Sequence, residues 1–290
     1  MAGTIAIGVQ DFGELISNNC FYIDKTSFIK EWWDNMDSVT LITRPRRFGK
    51  TLTISMLERF FSIQYYNESA IFEHLDIWKY PEYREIMGTY PVMERGLMTG
   101  ITRVSKESLF SDFNNMEVVT TTSVKYADVY GFTEDEVFSA LDEYGLSDIK
   151  DKVKRWYDGF LFGNSKDIYN PWSIINLLDK KQLGTYWANT SANGLIAKLI
   201  QEGDRNIKQL FETLLKGESI VCEIDEQIIY NQLSINDNAI WSLLLASGYL
   251  TVVNYIGYGD AKLPENCMPQ YELKITNYET KLMFNELVKN

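Results

Sequence analysis

The sequence has few of the side chains that build metal and disulfide sites. It contains one histidine, His74, and three cysteines, Cys20, Cys222 and Cys267, in 290 residues. A single imidazole excludes a zinc site that needs two histidines. Because the cysteines are odd in number and far apart, we expect reduced thiols, with neither a disulfide framework nor a CxxC metal pair.

Long apolar runs are missing as well. No stretch approaches the roughly 20 apolar residues that span a bilayer, and Asp11 and Glu14 stand where a targeting segment would be basic and then apolar. We therefore expect no membrane association and a cytoplasmic location. The six prolines argue against long disordered linkers, and an apolar content of 45% is enough to bury a core.

Positive charge is scarce: 28 Lys and Arg stand against 40 Asp and Glu, for a net charge of −12. A surface of this charge repels a phosphate backbone unless the basic residues are concentrated in one patch. Nucleic acid is therefore disfavoured as a partner.

One segment has the pattern of a strand, a loop and a helix in succession. Residues 39–42 form a β-branched, apolar run of strand length. From residue 51 to residue 63, apolar side chains recur at spacings of three and four, which predicts a helix with one apolar face. The loop between them ends in Gly49-Lys50-Thr51.

This loop matches the phosphate-binding pattern G-x-x-x-x-G-K-[ST], except that Arg44 stands in place of the first glycine. Such loops hold phosphates by backbone N–H groups and a helix N-terminus, while Lys50 would reach the outer phosphates and the Thr51 hydroxyl would bind Mg²⁺. The alternative is a basic surface turn. The predicted ligands of ATP and Mg²⁺ are Arg44, Pro45, Arg46, Arg47, Phe48, Gly49, Lys50 and Thr51.

A hydrolysing enzyme of this type also needs a carboxylate at the end of a second buried strand. Between Thr51 and Gly100 the nearest pattern is residues 91–94, which is too short and ends in Glu94. Residues 220–223, ending in Glu223, match better but lie in the second half, where we expect a structural strand. The sequence therefore predicts ATP binding with weak or absent hydrolysis.

The second half has mostly helical patterns. Thr133 is followed three residues later by Glu136, which predicts a capping box, and Asn170 precedes Pro171 as a helix cap. Near the end, an apolar helix over residues 240–246 meets Gly248. Strand patterns over residues 249–253 and 270–275 follow it, and this helix-plus-hairpin order resembles a winged helix.

Together these segments resemble the bacterial AAA-ATPase-like family, in which a P-loop domain often precedes a PD-(D/E)xK nuclease-like domain. The segments that carry the resemblance are residues 21–26, 43–51, 99–108, 113–115, 169–173, 186–191 and 247–250. The resemblance implies an α/β fold with a P-loop NTPase (AAA-like) core over residues 1–130. A mainly helical lid with a winged-helix-like region would occupy residues 131–290. An arginine in place of the first loop glycine is common in that family.

Two departures from the family matter. The family has an apolar strand ending in Asp-Glu-Tyr-Asp between the strand at residues 90–92 and the segment at residues 99–100. It is absent here, so the core is internally shortened and the Walker B acids cannot be assigned to any residue. We also expect no nuclease-like domain within these 290 residues. A lost strand would uncover apolar faces of the sheet, which favours self-association.

The resemblance places Thr99 and Arg103 near the strand that faces the γ-phosphate. Arg103 is the candidate catalytic residue, and a salt bridge to Glu94 or Glu107 is the structural alternative.

Two functional hypotheses remain. The first is an ATP-binding AAA-like protein, an ATPase by resemblance, whose hydrolysis is weak or absent. The second is a non-enzymatic binding module with a relic P-loop, in which the C-terminal region contacts a protein or DNA. Lys274, Lys281 and Lys289 are offset by neighbouring glutamates, so a protein partner is favoured over DNA.

Overall fold

The computed structural model describes residues 3–91, 94–102, 116–190, 194–225, 239–263 and 267–289. Within them the protein is mixed α/β, with three separate three-stranded sheets. No helix in these ranges is long and apolar enough to cross a bilayer.

The first sheet is parallel and contains the strand that leads into the phosphate loop. Its strands are β1 (Val39–Thr43), β2 (Gly96–Gly100) and β3 (Met116–Val119), in the order β2-β1-β3. Val39 lies opposite Gly96 on one side and Met116 on the other. Because the strands are parallel, their carboxyl ends meet at one edge, where Thr43 leads into the loop. The strand predicted over residues 39–42 is confirmed.

In the described part of the first half, helices accompany this sheet. They are α1 (Phe12–Ser17), α2 (Ser27–Asp34), α3 (Lys50–Phe61) and α4 (Pro81–Ile86), with short 3₁₀ turns at Ile63–Tyr65, Ser69–Ile71 and Asp76–Lys79. The helix predicted to follow the loop is therefore present. The sequence pattern of residues 106–116 is typical of a helix or turn, and this segment lies outside the described residues, apart from Met116, which begins β3.

The second half contains two antiparallel sheets as well as helices. One has the order β4-β6-β5 and is built from β4 (Phe132–Thr133), β5 (Phe160–Phe162) and β6 (Ser165–Tyr169). The other has the order β7-β9-β8, from β7 (Ile220–Glu223), β8 (Leu250–Ile256) and β9 (Gln270–Ile275). The prediction of a mainly helical region misses the first of these sheets, because strands of two to five residues are too short for a clear period-2 pattern.

The helices of this half begin and end at the predicted signals where these exist. They are α5 (Glu134–Glu143), α6 (Lys150–Tyr157), α7 (Pro171–Lys180), α8 (Gly194–Glu202), α9 (Arg205–Lys216), α10 (Ala239–Ala246) and α11 (Tyr278–Lys289), with a 3₁₀ turn at Ala188–Thr190. Thr133 and Glu136 form the predicted capping box. The Asn170 side chain accepts hydrogen bonds from the first backbone N–H groups of α7. Gly248, with φ +83°, follows α10 as predicted.

One apolar core joins the two halves. It extends from Phe12 and Ile42 in the first half to Trp187, Leu244 and Phe284 in the second. A smaller core around Leu141 and Tyr157 lies under α5, α6 and α7. The phosphate loop therefore stands on a core to which the C-terminal elements contribute.

Gly159 marks the closest approach between two turns of the second half. It has φ +132°, and a Cβ atom there would lie 1.9 Å from the Thr276 carbonyl oxygen. Beside it, the Asn277 amide donates to the Tyr157 carbonyl at 3.2 Å. The turn after α6 and the turn before α11 are thus packed backbone against backbone.

We predict that Gly159→Ala lowers the free energy of unfolding by about 2 to 5 kcal/mol, since it adds left-handed strain and a clash with rigid backbone. Urea unfolding followed by circular dichroism measures the change. Gly145→Ala is the matched control: φ is +72° and an added Cβ meets nothing within 4 Å, so we expect a loss of about 1 kcal/mol or less. Equal losses in the two variants would contradict the close approach.

Candidate functional site

The predicted phosphate loop occupies residues 44–49, between the end of β1 and the start of α3. Arg47 and Gly49 have φ +65° and +83°, so the chain makes left-handed turns on the way into the helix. A helix N-terminus leaves backbone N–H groups without intrahelical partners and carries a partial positive charge. The strand, loop and helix thus bring free donors to the carboxyl edge of the parallel sheet.

Lys50 opens α3, and its amino group lies over the loop. Nζ donates to the carbonyl oxygens of Arg44 at 2.8 Å and Pro45 at 2.6 Å. Burial, together with the charge of Arg44, lowers the pKa of Lys50 to about 8. The amino group is still mostly protonated at neutral pH, and it sits where it can exchange neutral carbonyl partners for an anion.

Arg44 is completely buried and points away from the loop surface. Its guanidinium donates to the carbonyl oxygens of Thr43 at 2.9 Å, Thr120 at 2.6 Å and Tyr126 at 3.0 Å. Burial lowers its pKa to about 10, which leaves it charged at neutral pH. The side chain that replaces the first glycine of the pattern therefore cross-links the loop to the ends of β1 and β3.

The next two arginines of the loop contact different parts of the protein. The Arg46 guanidinium contacts residues of the second half, including the Thr190 and Tyr249 hydroxyls. Arg47 is exposed, and its guanidinium carbon lies 4.2 Å from the centroid of the Trp172 ring.

A cavity of about 250 Å³ opens beside the loop. Of the predicted ligands, Arg47, Phe48, Gly49, Lys50 and Thr51 line it, whereas Arg44, Pro45 and Arg46 do not. The Thr51 hydroxyl belongs to an exposed residue on this wall. The loop end of the cavity is therefore polar and cationic.

The other walls are largely apolar and come from distant parts of the chain. They include residues 5–9, Tyr22, Phe132 and Trp172. Sequence reasoning missed most of these, although the apolar run Ile5-Ala6-Ile7 before α1 was a signal. Tyr22 and Tyr65 both have rings that could stack on a base. Tyr22 lines the cavity, whereas Tyr65 packs against the Arg59 guanidinium at 4.7 Å.

The charges around the cavity favour an anion. Lys25, Arg47 and Lys50 line it, and no Asp or Glu does among the described residues. Lys25 is already paired with Glu136, with Nζ 2.7 Å from Oε1. A multiply charged anion would therefore meet two cations without carboxylate partners in this wall, together with the helix N-terminus.

The carboxylate candidates from the sequence lie elsewhere. Glu94 precedes β2, whose first residue pairs with Val39 at the start of β1. It therefore lies at the opposite edge of the sheet from the loop, about 16 Å away for strands of five residues, and cannot replace a Walker B acid. Glu223 ends β7, which pairs antiparallel with β9 in another sheet. Thr99 lies opposite Ile42 near the loop as expected, while Arg103 is outside the described residues.

Three acidic side chains do meet in the second half. Carboxylate oxygens of Glu134, Asp158 and Asp167 lie within 4.8 Å of one another. Burial and the Asp167 charge raise the pKa of Asp158 to about 6. Lys154 forms an ion pair with Glu134, and none of the three acids lines the cavity. The group is separate from the phosphate loop.

Comparisons with known proteins give a family match for the first half of the chain. Residues 6–136 match the family model AAA-ATPase-like, described as a predicted AAA-ATPase. A curated relative from Azotobacter chroococcum mcd 1, the "Uncharacterized protein in vnfD 5'region", is 26% identical over 194 residues. This alignment covers 66% of the present chain and 33% of the relative, so the match spans a third of that protein's length. No solved structure matches the chain significantly.

We predict that Arg44→Met lowers the free energy of unfolding by at least about 2 kcal/mol, because each buried carbonyl left without a donor costs about 1 to 3 kcal/mol. Arg47→Met, in the same loop, removes an exposed guanidinium and should cost less than about 1 kcal/mol. Urea unfolding of the two variants measures both values. A smaller loss for Arg44→Met than for Arg47→Met would mean that the buried guanidinium does not stabilise the loop.

Proposed function

We propose that this protein binds ATP in the cavity beside residues 44–51 and hydrolyses it weakly or not at all. The observation that carries the proposal is the position of Lys50. Its amino group lies over a strand–loop–helix turn, at the cationic end of an otherwise apolar cavity.

The loop end suits a chain of phosphates. Backbone N–H groups at the start of α3 and the positive end of its dipole stabilise anions. Lys50 Nζ holds two carbonyl oxygens, both of which a phosphate oxygen can replace with a stronger, charge-assisted bond. At Gly49, an added Cβ would meet no atom within 4 Å, so the turn is open on that side. These groups are the kinds of donor and cation that a chain of phosphates requires.

The remaining walls suit an adenine base. Ligand sites are mostly apolar with a few placed polar groups. Tyr22 and Trp172 contribute aromatic surface to this cavity, with the Arg47 guanidinium over the Trp172 ring. The match of residues 6–136 to a predicted AAA-ATPase supports ATP over GTP as the nucleotide.

Mg²⁺ fits only in part. The Thr51 hydroxyl can supply one oxygen ligand, and the nucleotide phosphates supply others. Hydrolysis also needs an acid that positions Mg²⁺ and the attacking water. Glu94 lies at the far end of the parallel sheet, Glu223 belongs to another sheet, and neither lines the cavity. The proposal therefore combines binding with slow or absent turnover.

A specific feature also favours a protein-binding role for the C-terminal region. The β7-β9-β8 sheet exposes large apolar side chains, with Val221 59%, Val253 48% and Tyr255 48% accessible. Exposed apolar groups on one sheet favour contact with protein over contact with DNA. This role is compatible with ATP binding, or it stands alone if the loop is a relic.

We predict that a fluorescent ATP analogue binds the wild type and that Lys50→Ala weakens binding by about 10- to 100-fold, the value of one charge-assisted hydrogen bond. Lys79→Ala is the control, because Lys79 is 73% exposed in a remote 3₁₀ turn. ATP turnover should stay below about 0.01 s⁻¹ with Mg²⁺ present, far under typical enzymes. If neither wild type nor variant binds, the loop is a relic. Fast turnover would refute the weak-hydrolysis part alone.

We predict that ATP affinity is constant below about pH 8 and falls by up to tenfold per pH unit above it. Phosphate oxygens favour the protonated amine, so binding raises the pKa of Lys50 from about 8. Above that pH the free protein must take up a proton in order to bind. Titrations between about pH 7 and about pH 10 measure the slope. Lys50→Arg keeps its charge over this range, so its affinity should not show the slope; the same slope in that variant would exclude Lys50 as the titrating group.

A further inference from the structure

Arg46 is part of the phosphate loop in the sequence, but the contacts of its side chain are with residues of the second half. Nε donates to Thr190 Oγ1 at 2.9 Å, and Nη1 donates to the Tyr249 hydroxyl at 2.7 Å. Nη2 donates to the carbonyl oxygens of Trp187 at 3.1 Å and Ala188 at 3.3 Å. Most of the donors of this guanidinium are therefore already used.

The surroundings of this guanidinium are neutral. Its acceptors are hydroxyl and carbonyl oxygens, and its central carbon lies 4.9 Å from the Trp187 ring centroid and 5.5 Å from that of Tyr249. A planar fork of donors between two rings requires arginine, since an ammonium group cannot reproduce both the hydrogen bonds and the stacking. The contact is thus specific in geometry.

The loop backbone is held at the same junction. The Arg46 carbonyl oxygen accepts from the Trp187 indole at 3.0 Å and from the Asn170 amide at 3.4 Å. The preceding loop residue, Pro45, is also in contact with the second half. A Cβ atom added at Gly248 would lie 2.7 Å from Pro45 Cγ, so the turn after α10 packs closely against the loop. The backbone of residues 45–46 is therefore in direct contact with three segments of the second half, at Asn170, Trp187 and Gly248.

From this junction the contacts continue to the C-terminal helix. Trp187 and Ala188 donate their backbone N–H groups to the Glu279 carboxylate, at 2.7 and 3.3 Å. Glu279 is 1% exposed and also accepts from the Ser173 hydroxyl at 2.8 Å. The turn that receives Arg46 is thus fixed to both α7 and α11.

We propose that Arg46 is a positioning residue that couples nucleotide occupancy of the loop to the packing of residues 187–190 and the start of β8. It does this in place of contacting the phosphates. The inference rests on the proposed function. A bound phosphate chain draws Lys50 from the Arg44 and Pro45 carbonyls and restricts the loop backbone. Arg46 passes that restriction to the turn at Trp187 and to Tyr249. Coupling is reciprocal, so a partner of the C-terminal region would also change the affinity for nucleotide.

Hydrogen exchange with and without ATP tests this coupling in the full chain. In the wild type, ATP should slow exchange over residues 185–190 and 249–256 by at least about fivefold, the lower range of coupling between sites. Arg46→Lys keeps the charge but loses the fork, and Tyr249→Phe removes one acceptor outside the cavity. Both should still bind ATP within about tenfold of the wild type and lose this slowing.

Arg84→Lys is the matched control, because Arg84 also lies over a tryptophan ring and donates to that residue's carbonyl, but in the first half. It should keep the slowing. If ATP still slows hydrogen exchange over these residues in Arg46→Lys, the inference is overturned. It is also overturned if ATP binds the wild type without slowing exchange there. A loss of ATP binding in Arg46→Lys far beyond tenfold would make Arg46 a phosphate ligand and also overturn it. A wild type that binds no ATP refutes the proposed function itself, and the inference with it.

Discussion

The shape of the phosphate loop depends on the buried guanidinium of Arg44. Parallel strands end with carbonyl oxygens that have no further partner in the sheet, and buried carbonyls need a donor. At the carboxyl edge of this sheet, Arg44 supplies donors to Thr43 and Thr120 and also reaches Tyr126. A loop with glycine here would rely on backbone freedom alone. This protein holds the same turn in place by a cross-link from its side chain.

Once Arg44 fixes the loop from below, the other cations of the motif are free for different tasks. The Arg46 guanidinium donates to the second half, the Arg47 guanidinium packs over the Trp172 ring, and the Lys50 amino group lies over the loop. Only the last two line the cavity. A run of basic residues that looks uniform in sequence therefore has three kinds of contact: Arg44 is buried and structural, Arg46 joins the second half, and Arg47 and Lys50 line the cavity.

Local features of the fold could be predicted from the sequence, and features that depend on long-range contact could not. The strand before the loop, the helix after it and the capping box at Thr133 follow from patterns within a few residues. The placement of residues 5–9 beside Lys50 depends on how distant segments pack. The burial of Arg44 also depends on this packing. From sequence alone, an arginine in a basic turn is expected to be exposed. The position of Glu94 needed the register of the parallel sheet, which no local pattern contains.

The separation of binding from hydrolysis has a consequence for how such a protein would respond to nucleotide. In the proposed function, the groups that would hold phosphate are backbone donors and Lys50, and they would act whether or not an acid positions Mg²⁺ and water. Without turnover, occupancy follows the free concentration of nucleotide, and the folded state gains stability as that concentration rises above Kd. The contacts of Arg46 with Trp187 and Tyr249 would then respond in proportion to the fraction of protein that holds nucleotide. Dissociation of the nucleotide would reverse this response. An acid that positioned Mg²⁺ and water beside Lys50 would convert the same contacts into a cycle of hydrolysis.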